Sequence, residues 1–169
     1  MLRPPALEDA PEIQSLCEAR EIAAGTFLIP HPYPEGAAAE WISGLTGTDS
    51  VTFAIERKED GALVGVMGLR LERDHDRAEL GYWVGVPYWG HGYAPEAGRA
   101  VLGHAFETLG VNRVYALHFT RNRASGRVAA KIGMTHEATL RGNSLKWGEH
   151  LDDELWAIVR SEWPGKCSE

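Results

Sequence analysis

The chain has 169 residues, 44% hydrophobic and 24% charged, the length and mixture of about one soluble globular domain. Its 17 Lys and Arg against 24 Asp and Glu leave a net charge of −7, which argues against a nonspecific nucleic-acid binder with a basic phosphate-facing surface. No run approaches the roughly 20 apolar residues that cross a bilayer, and the opening MLRPPALEDAPE lacks the apolar stretch of a secretory signal, so a cytoplasmic protein engaging neither membrane nor nucleic acid is expected.

A first helix is expected over residues 9–19. Pro11 suits its opening turn, and Ile13, Leu16 and Cys17 recur at i, i+3 and i+4. Cys17 reads as a small buried hydrophobe and Cys167 as an inert thiol on the tail. They form no CxxC pair, and the histidines lack metal-ligand spacing, so no metal is expected. The proline-punctuated PHPYPEG, residues 30–36, leads to a second short helix over 35–45. Val51, Phe53 and Ile55 then alternate with Thr52, Ala54 and Glu56, the period of a half-buried strand. Asp60-Gly61 closes a hairpin onto a return strand over 63–71. A third strand, AELGYWVGV, ends at Pro87, and Gly81 and Gly85 within it suggest a bulge or a close approach by another chain or ligand.

An amphipathic helix follows, with Ala97, Val101, Ala105 and Leu109 on its apolar stripe and Gly110 as its stop. Next come strand RVYALHF (113–119), a helix over 122–132 ended by Gly133, and two strands, MTHEATLR (134–141) and ELWAIVRSEW (154–163). An antiparallel meander joined to one β-α-β crossover makes the expected class α/β (α+β). The sheet should be mixed and mostly antiparallel, with helices on both faces, in a single domain over 1–169.

The stretch VGVPYWGHGYAPE, residues 84–96, carries the chemistry. A strand ends, Gly90 and Gly92 shape a loop, and a helix begins with Pro95 in its first turn. Such a junction aims unpaired N–H groups and the positive end of the helix dipole at one point, which suits an anion. A dinucleotide fingerprint would need glycine where Pro95 stands and an acid where Phe119-Thr120 stand; a P-loop would need Gly-Lys-Ser/Thr, which is missing. By itself the loop is either an anion cradle or an ordinary tight turn.

Over nearly its whole length the sequence resembles the GNAT superfamily of acetyl-CoA-dependent N-acetyltransferases. The superfamily loop Gln/Arg-x-x-Gly-x-Gly/Ala is matched by Trp89-Gly90-His91-Gly92-Tyr93-Ala94 at Gly92 and Ala94, with Trp89 departing at the first position. That departure, with Leu80-Gly81-Tyr82-Trp83, Asn122-x-x-Ser125 and Lys131-Ile132-Gly133-Met134, resembles the branch of ribosomal-protein-alanine N-acetyltransferases. The motifs specify superfamily and branch, and leave the acceptor open. The resemblance implies about seven strands splayed at the cofactor site, acetyl-CoA as cosubstrate and an amine acceptor, either a protein N-terminus or a small molecule. Dimerisation is common in that branch, so a homodimer is compatible. A small-amine or aminoglycoside acetyltransferase, or a catalytically silent acyl-CoA sensor, would keep the same motifs.

The same resemblance implies the site. Pyrophosphate would lie on the backbone of Trp89, Gly90, His91, Gly92, Tyr93 and Ala94, and the pantetheine arm along Trp83, Val84 and Val86. Trp83 or Val84 would donate an N–H to the thioester oxygen. Asn122 would hold the pantetheine arm, cap its helix, or do both. Arg127, in a stripe with Arg123 and Lys131, would reach the ribose 3′-phosphate or simply face solvent. Glu79 is the expected base or ammonium-binding group, at a place where a solvated edge residue would be equally natural, and Ser125 the expected proton donor to the leaving thiolate. His31, Tyr33 and Trp41 are expected on the acceptor wall and are equally readable as loop anchors; Trp156 reads as core or pocket floor.

Overall fold

Strands and helices alternate along the chain as β1 (Leu2–Arg3), α1 (Ala10–Cys17), α2 (Arg20–Gly25), α3 (Ala37–Ser43), β2 (Ser50–Glu56), β3 (Leu63–Glu72) and β4 (Arg77–Val84). After these come α4 (Tyr93–Gly103), β5 (Arg113–Phe119), α5 (Arg123–Lys131), β6 (Thr135–Lys146) and β7 (Glu149–Val159). The structure, a computed structural model, describes residues 1–47 and 49–165; Cys167 falls outside them. The first helical stretch divides after Cys17, because Ala19 leaves the helical region (φ −63°, ψ 121°) and α2 starts anew. At its far end α4 passes into a π-helical turn, His104–Leu109, which Gly110 ends in a left-handed conformation (φ 76°). The last two strands also depart from expectation. They run longer and meet at Trp147-Gly148, while the chain from Arg160 folds into a short 3-10 turn.

The seven strands form one sheet in the order β1-β2-β3-β4-β5-β7-β6. Every pairing is antiparallel except β4 with β5, the two strands joined through α4. Each face of the sheet carries its own core. Val101 and Leu102 of α4 and Ala129 of α5 pack with Met67, Leu69 and Leu80 on one side. Ile13 and Cys17 of α1 and Ala38 and Ile42 of α3 pack with Ala54 and Val66 on the other. Burying each Ile, Leu or Val in these layers contributes about 1.5–3 kcal/mol before chain entropy is counted.

The parallel pairing holds only at Arg77–Arg113, Ala78–Val114 and Glu79–Tyr115. Beyond it the two strands part, although β4 continues to Val84 and β5 to Phe119. The bulge expected at Gly81 or Gly85 is not what opens the sheet. β4 keeps an unbroken register with β3 from Glu72–Arg77 to Gly65–Val84, and β5 an equally unbroken one with β7 from Arg113–Val159 to Phe119–Asp153, so the splay is a parting of the two halves of the sheet. Gly85 answers instead to α1: a Cβ there would stand 2.8 Å from Leu16 Cδ2.

Candidate active site

The bond from Gly85 N–H to Val64 O, 2.8 Å, sets the direction of every peptide group in β4. In the antiparallel alternation Glu79, Gly81 and Trp83 exchange hydrogen bonds with β3, whereas Leu80, Tyr82 and Val84 turn theirs toward β5. Because β5 has parted there, the peptide groups of Tyr82 and Val84 face the opening. Of the two expected oxyanion donors, Val84 therefore points into the gap and Trp83 into the sheet. The Val84 carbonyl accepts the Trp89 indole N–H at 2.6 Å, which ties the glycine loop to the end of β4.

Side chains alternate across the sheet as well. Trp83 packs with the α1/α3 core and Glu79 shares its face, while Tyr82 packs with the α4/α5 core. A cavity of about 940 Å³ passes through the gap and is lined from both faces, by Tyr33, Trp41 and Glu79 on one and by Tyr82, Ser125 and His118 on the other.

Glu79 forms an ion pair with Arg70, its cross-strand partner on β3, and that carboxylate raises the guanidinium pKa. The Tyr82 hydroxyl donates to Ser125 Oγ at 3.1 Å, and burial pushes the phenol above its ordinary pKa, so it stays a donor. His118 is buried; its Nε2 accepts from Trp156 Nε1–H at 3.1 Å, and its Nδ1 lies 2.9 Å from the Phe119 carbonyl. Both contacts are satisfied only by the neutral ring with its proton on Nδ1. Trp156 thus props His118 from behind, packed on the α4/α5 core.

In the loop, Gly90 (φ 82°) and Gly92 (φ 85°) take left-handed conformations that favour glycine. Among the described residues, the N–H groups of Gly90, His91, Gly92, Tyr93 and Ala94 meet no protein acceptor, and the 11-residue α4 starts at Tyr93. The Tyr93 ring turns inward, edge-on to Tyr88 and stacked on exposed His91.

Tyr33, Trp41, Glu79, Trp83 and Ser125 therefore share one cavity. Outside its lining lie the loop, Val84, Val86, Arg127, and His31, which is exposed. Asn122 is outside it too: Oδ1 accepts the Ser125 N–H at 3.3 Å, capping α5, and Nδ2 donates to the Gly25 carbonyl at 3.2 Å, tying α2 to α5. Arg70, Tyr82 and His118 join the cavity without having been singled out from the sequence. Tyr82 lay inside the Leu80–Trp83 motif, but only the sheet register reveals which face it takes.

The family model for the acetyltransferase (GNAT) domain matches residues 1–135. YoaA of Bacillus subtilis (strain 168), an uncharacterised N-acetyltransferase, is 34% identical over 111 residues, 65% of this chain and 63% of YoaA. YdaF of the same strain, provisionally named a ribosomal N-acetyltransferase, is 32% identical over 108 residues, 63% of this chain and 59% of YdaF. The match thus spans less than two thirds of the length of either relative. The spermidine N-acetyltransferase of Vibrio cholerae, solved with CoA and spermine, shares the fold with a TM-score of 0.84 over 96% of both chains at 20% identity.

Proposed function

Because the chain belongs to the GNAT acetyltransferase family, we propose that it moves the acetyl group of acetyl-CoA to a primary amine by direct attack on the thioester. The observation that supports this most is the gap between β4 and β5 beyond Glu79, with Glu79 on one face of the sheet and Ser125 on the other. An amine and a leaving thiolate can then be served from opposite sides.

The free N–H groups from Gly90 to Ala94 suit a pyrophosphate, reinforced by the N-terminal end of α4. Peptide groups of Tyr82 and Val84 suit the amides of an extended pantetheine arm, which would pair as an added strand does. Val84 N–H is the donor for the thioester oxygen, whose charge grows in the transition state. Glu79 takes the proton of the incoming ammonium, directly or through water. Ser125, which accepts from Tyr82, gives a proton to the departing thiolate. A C–N bond forms and the C–S bond breaks; the ammonium loses two protons in all, one to Glu79 before attack and one as the amide forms, of which one passes to solvent and the other replaces the proton that Ser125 gives the thiolate. Exposed Arg127 has no carboxylate partner among the described residues, which supports a contact with the ribose 3′-phosphate. Asn122 acts here as a positioning residue, holding the start of α5.

We read the chain as one catalytic domain, and among the described residues no helix is long and apolar enough to cross a membrane. The provisional name of YdaF favours a ribosomal protein N-terminus as acceptor, and the Vibrio cholerae enzyme a small amine. Thiol release from acetyl-CoA with a panel of amines and N-terminal peptides, together with the mass of each acceptor, tests the reading. Thiol should appear only with an amine that gains an acetyl group. Cofactor binding without any turnover would indicate an acyl-CoA sensor instead.

A further inference from the structure

The half of the cavity on the α1/α3 side is where an acceptor approaches Glu79, and its wall is almost free of charge. Ile13, Cys17, Ile29, Tyr33, Trp41 and Trp83 line it. Burial pushes the Cys17 thiol up to about 12 and raises the Tyr33 phenol, so both side chains stay neutral. Charge on the lining comes from Glu79 and Arg70, which are paired with each other, while His118 lies on the other face with Trp156 Nε1–H donating to its Nε2. The net charge of −7 is therefore carried elsewhere on the molecule.

A polycation drawn into this space would set its further ammonium groups against apolar and aromatic walls with no carboxylate to meet them, and an unpaired desolvated charge is strongly disfavoured. An amine with one charge has the opposite balance. Its nitrogen comes to Glu79, its body covers the rings of Trp41 and Tyr33, and the same desolvation favours the neutral nucleophile that attacks the thioester.

We propose that the acceptor is a primary amine carrying a single positive charge on an apolar, ring-bearing body, whether free or as the first residue of a peptide, and that Trp41 and Tyr33 select it. For its chemistry the inference rests on the acetyl-transfer reading; its recognition half does not.

The experiment therefore has a kinetic and a binding arm. In the first, 2-phenylethylamine, a Phe-initial peptide, an Ala-initial peptide and spermidine are compared by kcat/KM. One or both ring-bearing acceptors should exceed the other two by ~10-fold or more, the scale set by filling an apolar pocket. Which of the two leads identifies the source. Trp41→Ala should erase most of that preference while the KM for acetyl-CoA stays constant, and Trp41→Phe should restore it, which separates recognition from a folding defect. The second arm measures 2-phenylethylamine and spermidine binding to the CoA-loaded protein by calorimetry, where no chemistry occurs. Tighter 2-phenylethylamine binding without any turnover would overturn the acetyl-transfer reading and leave the recognition intact. Preference for spermidine in either arm or for the Ala-initial peptide in the kinetic arm, or a Trp41→Ala variant with an unchanged preference, overturns the inference.

Discussion

Tyr82 on β4 donates its phenolic hydrogen to the hydroxyl of Ser125 on α5, 3.1 Å away, and so joins strand and helix across the gap in the sheet. A serine hydroxyl has no special acidity, and a buried phenol that donates to its oxygen makes proton release from Ser125 easier by stabilising the negative charge that develops there.

Ser125→Ala should lower kcat by ~10-fold, because a thiolate leaves fairly well without help, and should barely change acetyl-CoA affinity. Tyr82→Phe keeps the packing against the α4/α5 core and removes only the donor. If Tyr82 acts through Ser125, its loss is smaller, and the double variant is no slower than Ser125→Ala alone. Losses that simply multiply would show two independent roles. Steady-state kinetics on the three variants, with cofactor titrations, decides between them.

Glu79→Gln keeps the shape of the side chain and removes the base, so kcat/KM should fall ~100-fold or more while CoA affinity is kept. Arg70 provides the control, since it touches the same carboxylate from β3. Arg70→Met leaves Glu79 in place and should cost far less. Equal losses in both variants would mean that Glu79 matters only as the partner of Arg70.

The α4 helix is legible in the sequence because one face is buried, with Ala97 and Val101 on one stripe, whereas in β2 the half-buried alternation holds only in part, since Ala54 and Ile55 are buried on opposite faces in the two cores. Beyond Arg141, β6 was not legible. It is an edge strand whose register shifts between Leu140 and Ser144, and Gly142, Asn143 and Leu145 are exposed, so no alternation marks it. The shape of the loop before α4 is legible because Gly90 and Gly92 announce the left-handed backbone they take. The opening beside it does not come from a bulge at the glycines of β4: Gly81 faces empty space, Gly85 serves Leu16, and β4 and β5 each keep register with their outer neighbours while parting from each other. The contact of Tyr82 with Ser125 joins positions 43 residues apart, and only the folded sheet brings them together.

At Gly92 strain and charge can be separated. A Cβ there meets nothing within 4 Å, yet the positive φ of 85° penalises any side chain. Gly92→Ala and Gly92→Asp both bear that strain, about 1–2 kcal/mol, but only aspartate sets a negative charge among the N–H groups proposed for pyrophosphate. Calorimetry should find CoA binding abolished by Gly92→Asp and weakened only a few-fold by Gly92→Ala. Equal weakening would trace the effect to loop shape and remove the phosphates from this loop.

Asp9 anchors the N-terminal segment. Asp9, 8% exposed, accepts hydrogen bonds from Arg3 Nη1 and Nη2, both at 2.7 Å, and from the Ala6 N–H at 2.8 Å. Arg3 also reaches Glu56, so one guanidinium joins β1, the entrance to α1 and the end of β2. The Arg3 hydrogen bonds hold the Asp9 carboxyl below the usual carboxylate range, outweighing the opposite effect of burial. A carboxyl whose pKa is depressed by folding contributes stability that is fully present above its unfolded value and is lost as pH falls through the folded one. Asp9→Asn keeps the size and removes the charge, which should cost about 2 kcal/mol near neutral pH, the scale of hydrogen bonds to a charged group. Urea denaturation of both proteins, followed down in pH, should show the difference closing once the wild-type carboxyl protonates. A gap that stayed constant into strong acid would assign the loss to packing around the Ala6–Asp9 turn, and would leave the ion pair without a measurable share in holding β1 against the sheet.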